Sequence, residues 1–167
     1  MNKYRLIYII FLIPICLLAQ NAPTKSTIQK IIRSSQVKMK NGKFSLPSNT
    51  SWEFNNIDSL YFKKDTLTAF VYKSPKHKSL CELVDWTFYR KNAFVFGQES
   101  NCKEPPSRKV TQHPKDYFKI AIYNVEKETM IDILRYDKMI VESFKILNIL
   151  ESQELIEIKL SRRFNAN

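Results

Sequence analysis

Most of the chain after residue 47 alternates between apolar and polar positions, which is the pattern of half-buried β-strands. In residues 66–72, for example, Leu67, Ala69 and Val71 fall on one face of the strand. The pattern also predicts strands over residues 51–54, 59–62, 80–90, 93–96, 117–123, 129–135, 139–147 and 153–160. Short strands joined by turns predict an all-β fold: an antiparallel meander that closes into an up-and-down barrel.

The segment before these strands has a different pattern. Residues 24–36 place Ile28, Ile31 and Ile32 on one helical face, with Ser26 or Thr27 as the N-cap, which predicts a short helix. A loose leader is the alternative. Residues 37–46 then predict a β-hairpin, because the Asn-Gly pair at its centre tolerates the positive φ angles of a type I′ turn.

The N-terminus is typical of an export signal. Residues 1–5 are short and basic, residues 6–19 carry no charge, and the chain turns polar from Gln20. The apolar run is shorter than the ~20 residues that a spanning helix needs. We therefore expect cleavage near Ala19 or Gln20 and a periplasmic or secreted protein. Lipid attachment at Cys16 and an uncleaved anchor are the alternatives.

Glycine is nearly absent, since only Gly42 and Gly97 occur in the whole chain. Phosphate-binding loops and dinucleotide-binding turns need several glycines close together, because the backbone must approach the phosphate without side chains in the way. The composition therefore argues against nucleotide-dependent enzymes of the common motif classes, and no cofactor is expected.

Two cysteines, Cys81 and Cys102, remain once Cys16 is removed with the signal. In an exported chain such a pair favours a single disulfide, with free thiols as the alternative. The two residues flank a predicted hairpin centred near Lys91, so the bridge would join its base. Closing a loop of this length stabilises the fold by about 3 kcal/mol.

The residues between the two halves of the strand pattern, 103–116, contain three prolines and resist regular pairing. This is the longest predicted loop of the mature domain, which makes it a candidate lid or binding loop.

Positive charge is the main sign of a macromolecular partner, because the formal net charge is +11. A predicted basic rim brings together two loop clusters, Lys73, Lys76, Lys78, Arg108 and Lys109. An anionic surface of the cell envelope is the expected acidic partner, and nucleic acid is not expected. The alternative is a solvated positive surface that promotes solubility.

Conventional catalytic and metal-binding groups are missing from the pattern. His77 and His113 lie far apart, each near a proline, which does not suit a metal site. Glu82 and Asp85 differ by three positions, so an ideal strand places them on opposite faces. We assign no catalytic and no metal-ligating residue.

A resemblance rests on three features of residues 50–160. Trp52 opens the first barrel strand, a hairpin with Trp86 and Phe94 lies between the two cysteines, and residues 144–160 form a closing pair of strands. In these respects the chain resembles the small lipocalin-like (calycin-type) domains of exported bacterial proteins. The resemblance implies a cup-shaped barrel with room for a small apolar molecule, walled by the aromatic residues Trp86, Phe88, Phe94 and Phe96. Ordinary core packing is the alternative role of these rings.

The predicted organisation is a signal peptide (1–20), a leader with a short helix and a hairpin (21–49), a lipocalin-like barrel (50–162) and a polar tail (163–167). The predicted function is non-catalytic binding of a small apolar or amphipathic ligand. The first alternative is an envelope interaction or structural protein with a filled core and a basic rim. The second alternative is a hydrolase without a recognisable catalytic motif.

Overall fold

The structure is a computed structural model that describes residues 23–37, 39–40, 43–44, 51–74, 80–109 and 111–163. The predicted signal peptide, with Cys16, lies outside the described residues. So do His77, Lys76 and Lys78 and the last four residues of the predicted tail.

Eight antiparallel strands form a closed barrel, which confirms the predicted all-β fold. The resemblance to lipocalin-like domains therefore holds at the level of barrel architecture. The barrel strands are β3 (Trp52–Asn55), β4 (Thr66–Tyr72), β5 (Glu82–Arg90), β6 (Ala93–Ser100), β8 (Tyr117–Val125), β9 (Glu128–Leu134), β10 (Ile140–Glu151) and β11 (Leu155–Arg163). A separate hairpin joins β1 (Met39–Lys40) to β2 (Lys43–Phe44), and the two-residue β7 (Ser107–Arg108) adds to β6 within the predicted loop.

The order of strands around the barrel is β5-β3-β4-β11-β10-β9-β8-β6, and pairing of β6 with β5 closes the ring. From β5 onward each barrel strand pairs with the next one in the chain, as a meander requires. The exception is β3, which is antiparallel to both β4 and β5 and lies between them. Consequently β4 and β5 run in the same direction, and the link between them passes β3.

The prediction of a strand over residues 59–62 is wrong. A 3-10 turn (Ile57–Ser59) and a short helix, α2 (Leu60–Lys63), occupy this region. The side chain of Asn55 accepts a hydrogen bond from the Ile57 amide at 2.9 Å, and Asp58 and Ser59 adopt positive φ angles of 54° and 63°. Asp and Asn tolerate this left-handed conformation, which breaks the extended chain. The turn directs Tyr61 into one end of the barrel, where it is buried.

The predicted N-terminal helix is present as α1 (Lys25–Ser34), and it closes the opposite end of the barrel. Its N-cap is Thr24, rather than Ser26 or Thr27, because the Thr24 hydroxyl accepts the Thr27 amide at 3.2 Å. Its apolar face, Ile28, Ile31 and Ile32, is buried in the barrel core. We name the two ends of the barrel after the helices that cover them, the α1 end and the α2 end.

Aromatic side chains fill the interior between these two helices. The Trp86 ring lies 4.8 Å from Phe54 and 4.8 Å from Phe94, measured between ring centroids. Trp52 packs 5.2 Å from Phe88, and its indole N–H donates to the Ser35 hydroxyl at the end of α1. An eight-stranded barrel is just wide enough for side chains to fill its interior.

The predicted disulfide joins Cys81, immediately before β5, to Cys102, two residues after β6. The Asn101 amide also donates to the Cys81 carbonyl at 2.7 Å, so a backbone contact supports the bridge at the base of the hairpin. Among the described residues, no helix combines the length and the apolar character needed to span a membrane.

Candidate functional site

A groove of about 550 Å³ lies at the α1 end, between the helix and the barrel wall. Helix α1 forms one side of the groove. Its buried face enters the barrel, and the side chains beside that face stay at the surface and line the groove. The ends of β4 and β10 and the start of β11 form the other side. The lining residues are Thr27, Lys30, Ile31, Ser34, Ser35, Val71, Tyr72, Lys73, Ile149, Glu151 and Ile156.

The groove has an apolar floor and a charged margin. Ile31, Val71 and Ile156 are buried core residues whose surfaces also line the groove. The charged groups are Lys30 on α1 and the pair Lys73 and Glu151 on the barrel. Apolar walls with a few convergent polar groups are the usual composition of a small-molecule site.

The electrostatics of this margin favour an anion. The Lys73 ammonium donates to the Glu151 carboxylate at 2.8 Å and to the Ser152 carbonyl at 2.6 Å. The hydrogen bond from Lys73, followed by its charge and that of Lys30, lowers the pKa of Glu151. Two lysines therefore face one carboxylate, which leaves one unit of positive charge for a ligand.

The four aromatics predicted to wall a pocket lie together inside the barrel and not in this groove. Trp86, Phe88 and Phe94 have no exposed surface, while Phe96 is partly buried beside Tyr61 at the α2 end. Trp86 and Phe94 stack on each other, and Phe94 contacts Phe88 with a centroid distance of 5.6 Å. In this structure the four rings pack as core, and a pocket-lining role for them stays a prediction.

The described members of the predicted basic rim are engaged with carboxylates or lie apart. Lys73 pairs with Glu151 at the groove. Arg108, on β7, pairs with Glu99 at 2.7 Å and with Asp85 at 3.3 Å, while Lys109 is exposed. Lys76 and Lys78 lie outside the described residues, so the assembly of the rim stays a prediction.

Two acidic side chains on the outer face of the barrel are buried, and the sequence-based predictions did not include this pair. Glu53 on β3 lies directly opposite Asp85 on β5, and both side chains are buried. Asp85 accepts a hydrogen bond from Thr87 at 2.7 Å and lies opposite Gly97 on β6. A Cβ atom at Gly97 would come within 2.0 Å of the Asp85 carboxylate oxygen. Glycine inside a strand often marks such a close approach, so Gly97 was the available signal.

A second polar cluster lies inside the barrel at the α2 end. The Tyr61 hydroxyl donates to Glu142 at 3.0 Å, and the Arg162 guanidinium lies 3.5 Å from the same carboxylate. Arg162 also donates to the Tyr61 carbonyl at 2.7 Å and stacks over the Phe144 ring. Burial raises the pKa of Glu142, against the opposing charge of Arg162, and burial raises the pKa of Tyr61 well above its usual range. This cluster ties α2 to the last strand.

Within the described ranges, no three His, Cys, Asp or Glu side chains come together as a metal-binding group. His113 is exposed and packs against Tyr117, with a centroid distance of 4.8 Å. Glu82 and Asp85 point to opposite faces of β5, because the pairing of β5 with β6 is regular between them.

Comparison with known proteins gives no relative for this chain: no protein family, no curated protein and no solved structure matches it.

Proposed function

We propose that this protein is an exported, non-catalytic binding protein whose groove beside α1 takes a small amphipathic molecule with an anionic group. The observation that supports this proposal is the groove itself, with its apolar floor, two lysines and single carboxylate. Its volume of about 550 Å³ falls within the range of known small-molecule sites, ~300–1,000 Å³. The apolar part of the ligand would contact Ile31 and Ile156, and the anionic group would approach Lys30.

The proposed location differs from the cup interior that the lipocalin-like resemblance implies. Trp86, Phe88 and Phe94 occupy the interior, so a ligand would enter there only if these rings moved. The groove needs no such movement. Proposed export rests on the apolar N-terminal run and on the Cys81–Cys102 disulfide, because disulfides persist mainly in oxidising compartments.

The test is a fluorescence titration of the full chain with a dansylated fatty acid, an amphipathic anion. Ser34 lines the groove and is exposed, so Ser34→Trp should place an indole ring in the groove and weaken binding. Ser26→Trp, on the same helix but outside the groove, should bind as the parent does. Lys30→Glu should weaken binding by about fivefold, the equivalent of ~1 kcal/mol for an exposed charge. Lys25→Glu is its matched control.

Equal affinity in Ser34→Trp and Ser26→Trp would overturn the groove as the binding site. No binding by the parent protein would favour the second candidate function, a cell-envelope interaction or structural protein. The observation that favours this second candidate is the filled aromatic interior, which suits a rigid scaffold better than a carrier.

A further inference from the structure

The turn between β9 and β10 exposes a group of large apolar side chains that the proposed ligand site does not use. They are Tyr136, Met139, Ile140 and Val141, with exposed fractions of 62, 59, 47 and 44%. We call them the tip cluster. Single exposed apolar residues are ordinary, but several next to one another mark an interaction surface.

A defined turn holds the tip cluster in place. The Arg135 amide donates to the Met139 carbonyl and the Lys138 amide to the Arg135 carbonyl, both at 2.9 Å. Asp137 pairs with the Arg135 guanidinium and accepts the Met139 amide at 3.1 Å. A hydrogen-bonded turn therefore keeps these side chains exposed.

An irregularity in the strand pairing explains why two successive residues face outward. The register of β10 against β9 shifts between Ile140 and Glu142. In a regular strand Ile140 and Val141 would point to opposite faces, and one of them would be covered. With the shift both are exposed, so the bulge re-aims a side chain that would otherwise join the core.

The tip cluster lies at the α2 end of the barrel, where a further aromatic ring is exposed. Glu142 follows Val141 directly and bonds Tyr61 of α2, while Phe62, the next residue of α2, is half exposed. Arg162 donates to the carbonyls of Phe62 and Lys64, at 3.3 and 3.2 Å, and fixes α2 in this position.

Cations outnumber anions at this end. The acids Asp137 and Glu142 are paired with Arg135 and Arg162, respectively. The other exposed charged side chains of α2, its flanks and the turn are Lys63, Lys64 and Lys138 against Asp58 and Asp65. The surface thus combines apolar and aromatic side chains with surrounding lysines.

We propose that the α2 end docks onto an anionic lipid bilayer, with the tip cluster entering the interfacial region. Aromatic and aliphatic side chains beside lysines suit this region, because the rings partition to the headgroup level while the ammonium groups meet lipid phosphates. Each lysine near such a surface adds about 1 kcal/mol of attraction. The groove, at the α1 end, would then face away from the membrane.

The test places a polarity-sensitive NBD fluorophore at single sites in the full chain. Met139→Cys labels the tip cluster, and Leu150→Cys, an exposed site near the other end of the same strand, is the matched control. Both carry Cys16→Ser and are labelled without reductant, so that Cys81 and Cys102 stay bonded. With vesicles of equal parts phosphatidylglycerol and phosphatidylcholine, the emission of NBD at position 139 should shift to shorter wavelength, and that at position 150 should not.

The lysines provide the second arm. Changing Lys63, Lys64 and Lys138 to Glu should raise the lipid concentration at half-maximal shift by at least fivefold for each lysine. An equal shift with pure phosphatidylcholine vesicles would overturn the anionic specificity. No shift at position 139, or equal shifts at 139 and 150, would overturn the docking proposal. The site-specific readout matters because the apolar run of residues 6–19 can itself hold the chain on vesicles in every variant.

Discussion

Gly97 faces the carboxylate of Asp85 across the β5–β6 pair, and a methyl group has no room there. A Cβ atom built at Gly97 lies 2.0 Å from Oδ1 of Asp85, whereas real Cβ contacts stay beyond 3.0 Å. In Gly97→Ala the carboxylate must therefore move by about 1 Å or more. The movement breaks the buried hydrogen bond that Thr87 donates to Asp85 at 2.7 Å.

The expected cost follows from these two effects. Loss of a hydrogen bond to a charged group costs about 1.5–3 kcal/mol. Overpacking a filled site adds about 1–3 kcal/mol. We take roughly 3 kcal/mol as the loss in unfolding free energy, because the carboxylate recovers part of its solvation when it moves. For a protein of this size, such a loss lowers the melting temperature by roughly 6–12 °C.

The assay is urea unfolding followed by the fluorescence of Trp52 and Trp86, which are both buried. The control repeats Gly97→Ala in an Asp85→Ala background, where the colliding carboxylate is gone. There the alanine should cost less than about 1 kcal/mol, so the double-mutant cycle should show strong coupling. Equal costs in the two backgrounds would refute the steric explanation.

Two further predictions concern the α2 end and the disulfide. Burial raises the pKa of Glu142 above its ordinary 4.5, so the folded protein holds a proton that the unfolded chain releases. The stability of the fold should therefore decrease as the pH rises from about this ordinary value through the raised pKa. Glu142→Gln should flatten this dependence of the urea midpoint on pH, and an unchanged slope would contradict the assignment. Replacing Cys81 and Cys102 together with Ala should lower the unfolding free energy by about 3 kcal/mol, measured by urea unfolding without reductant. Unchanged stability would show that the bridge does not restrict the unfolded chain.

Local pattern was sufficient to predict much of this barrel. Alternation in residues 66–72 and 153–160 gives strands because one side chain in two enters the core. Isoleucines at helical spacing predict α1, because they form one face of the helix that packs into the core. The disulfide was predictable because two cysteines flank one hairpin.

A local turn and several non-local contacts account for what the pattern missed. Residues 59–62 have a strand-like composition, and only the turn at Asp58 and Ser59 redirects them. The position of β3 between β4 and β5 depends on pairing partners that local pattern does not reveal. Glu53 and Asp85 sit at outward positions, where alternation predicts exposure, yet both are buried.

The candidate groove was missed for a related reason. Lys73 was predicted as part of a basic rim, but its partner Glu151 lies 78 residues later in the chain. Lys30 and Ile156 join them only because α1 closes the barrel end formed by β4, β10 and β11. The spacing of these residues along the sequence does not indicate that they lie together.

The pairing of β4 with β11 dictates when this protein can finish folding. Residues 67–72 bond with residues 155–160, and the Thr129 hydroxyl bonds the Pro23 carbonyl 106 positions earlier. A nascent chain lacking its last dozen residues therefore has two bare sheet edges, one on β4 and one on β10. Such edges attract other chains, so a stop codon shortly before residue 155 should yield an aggregating product, not a slightly weaker barrel.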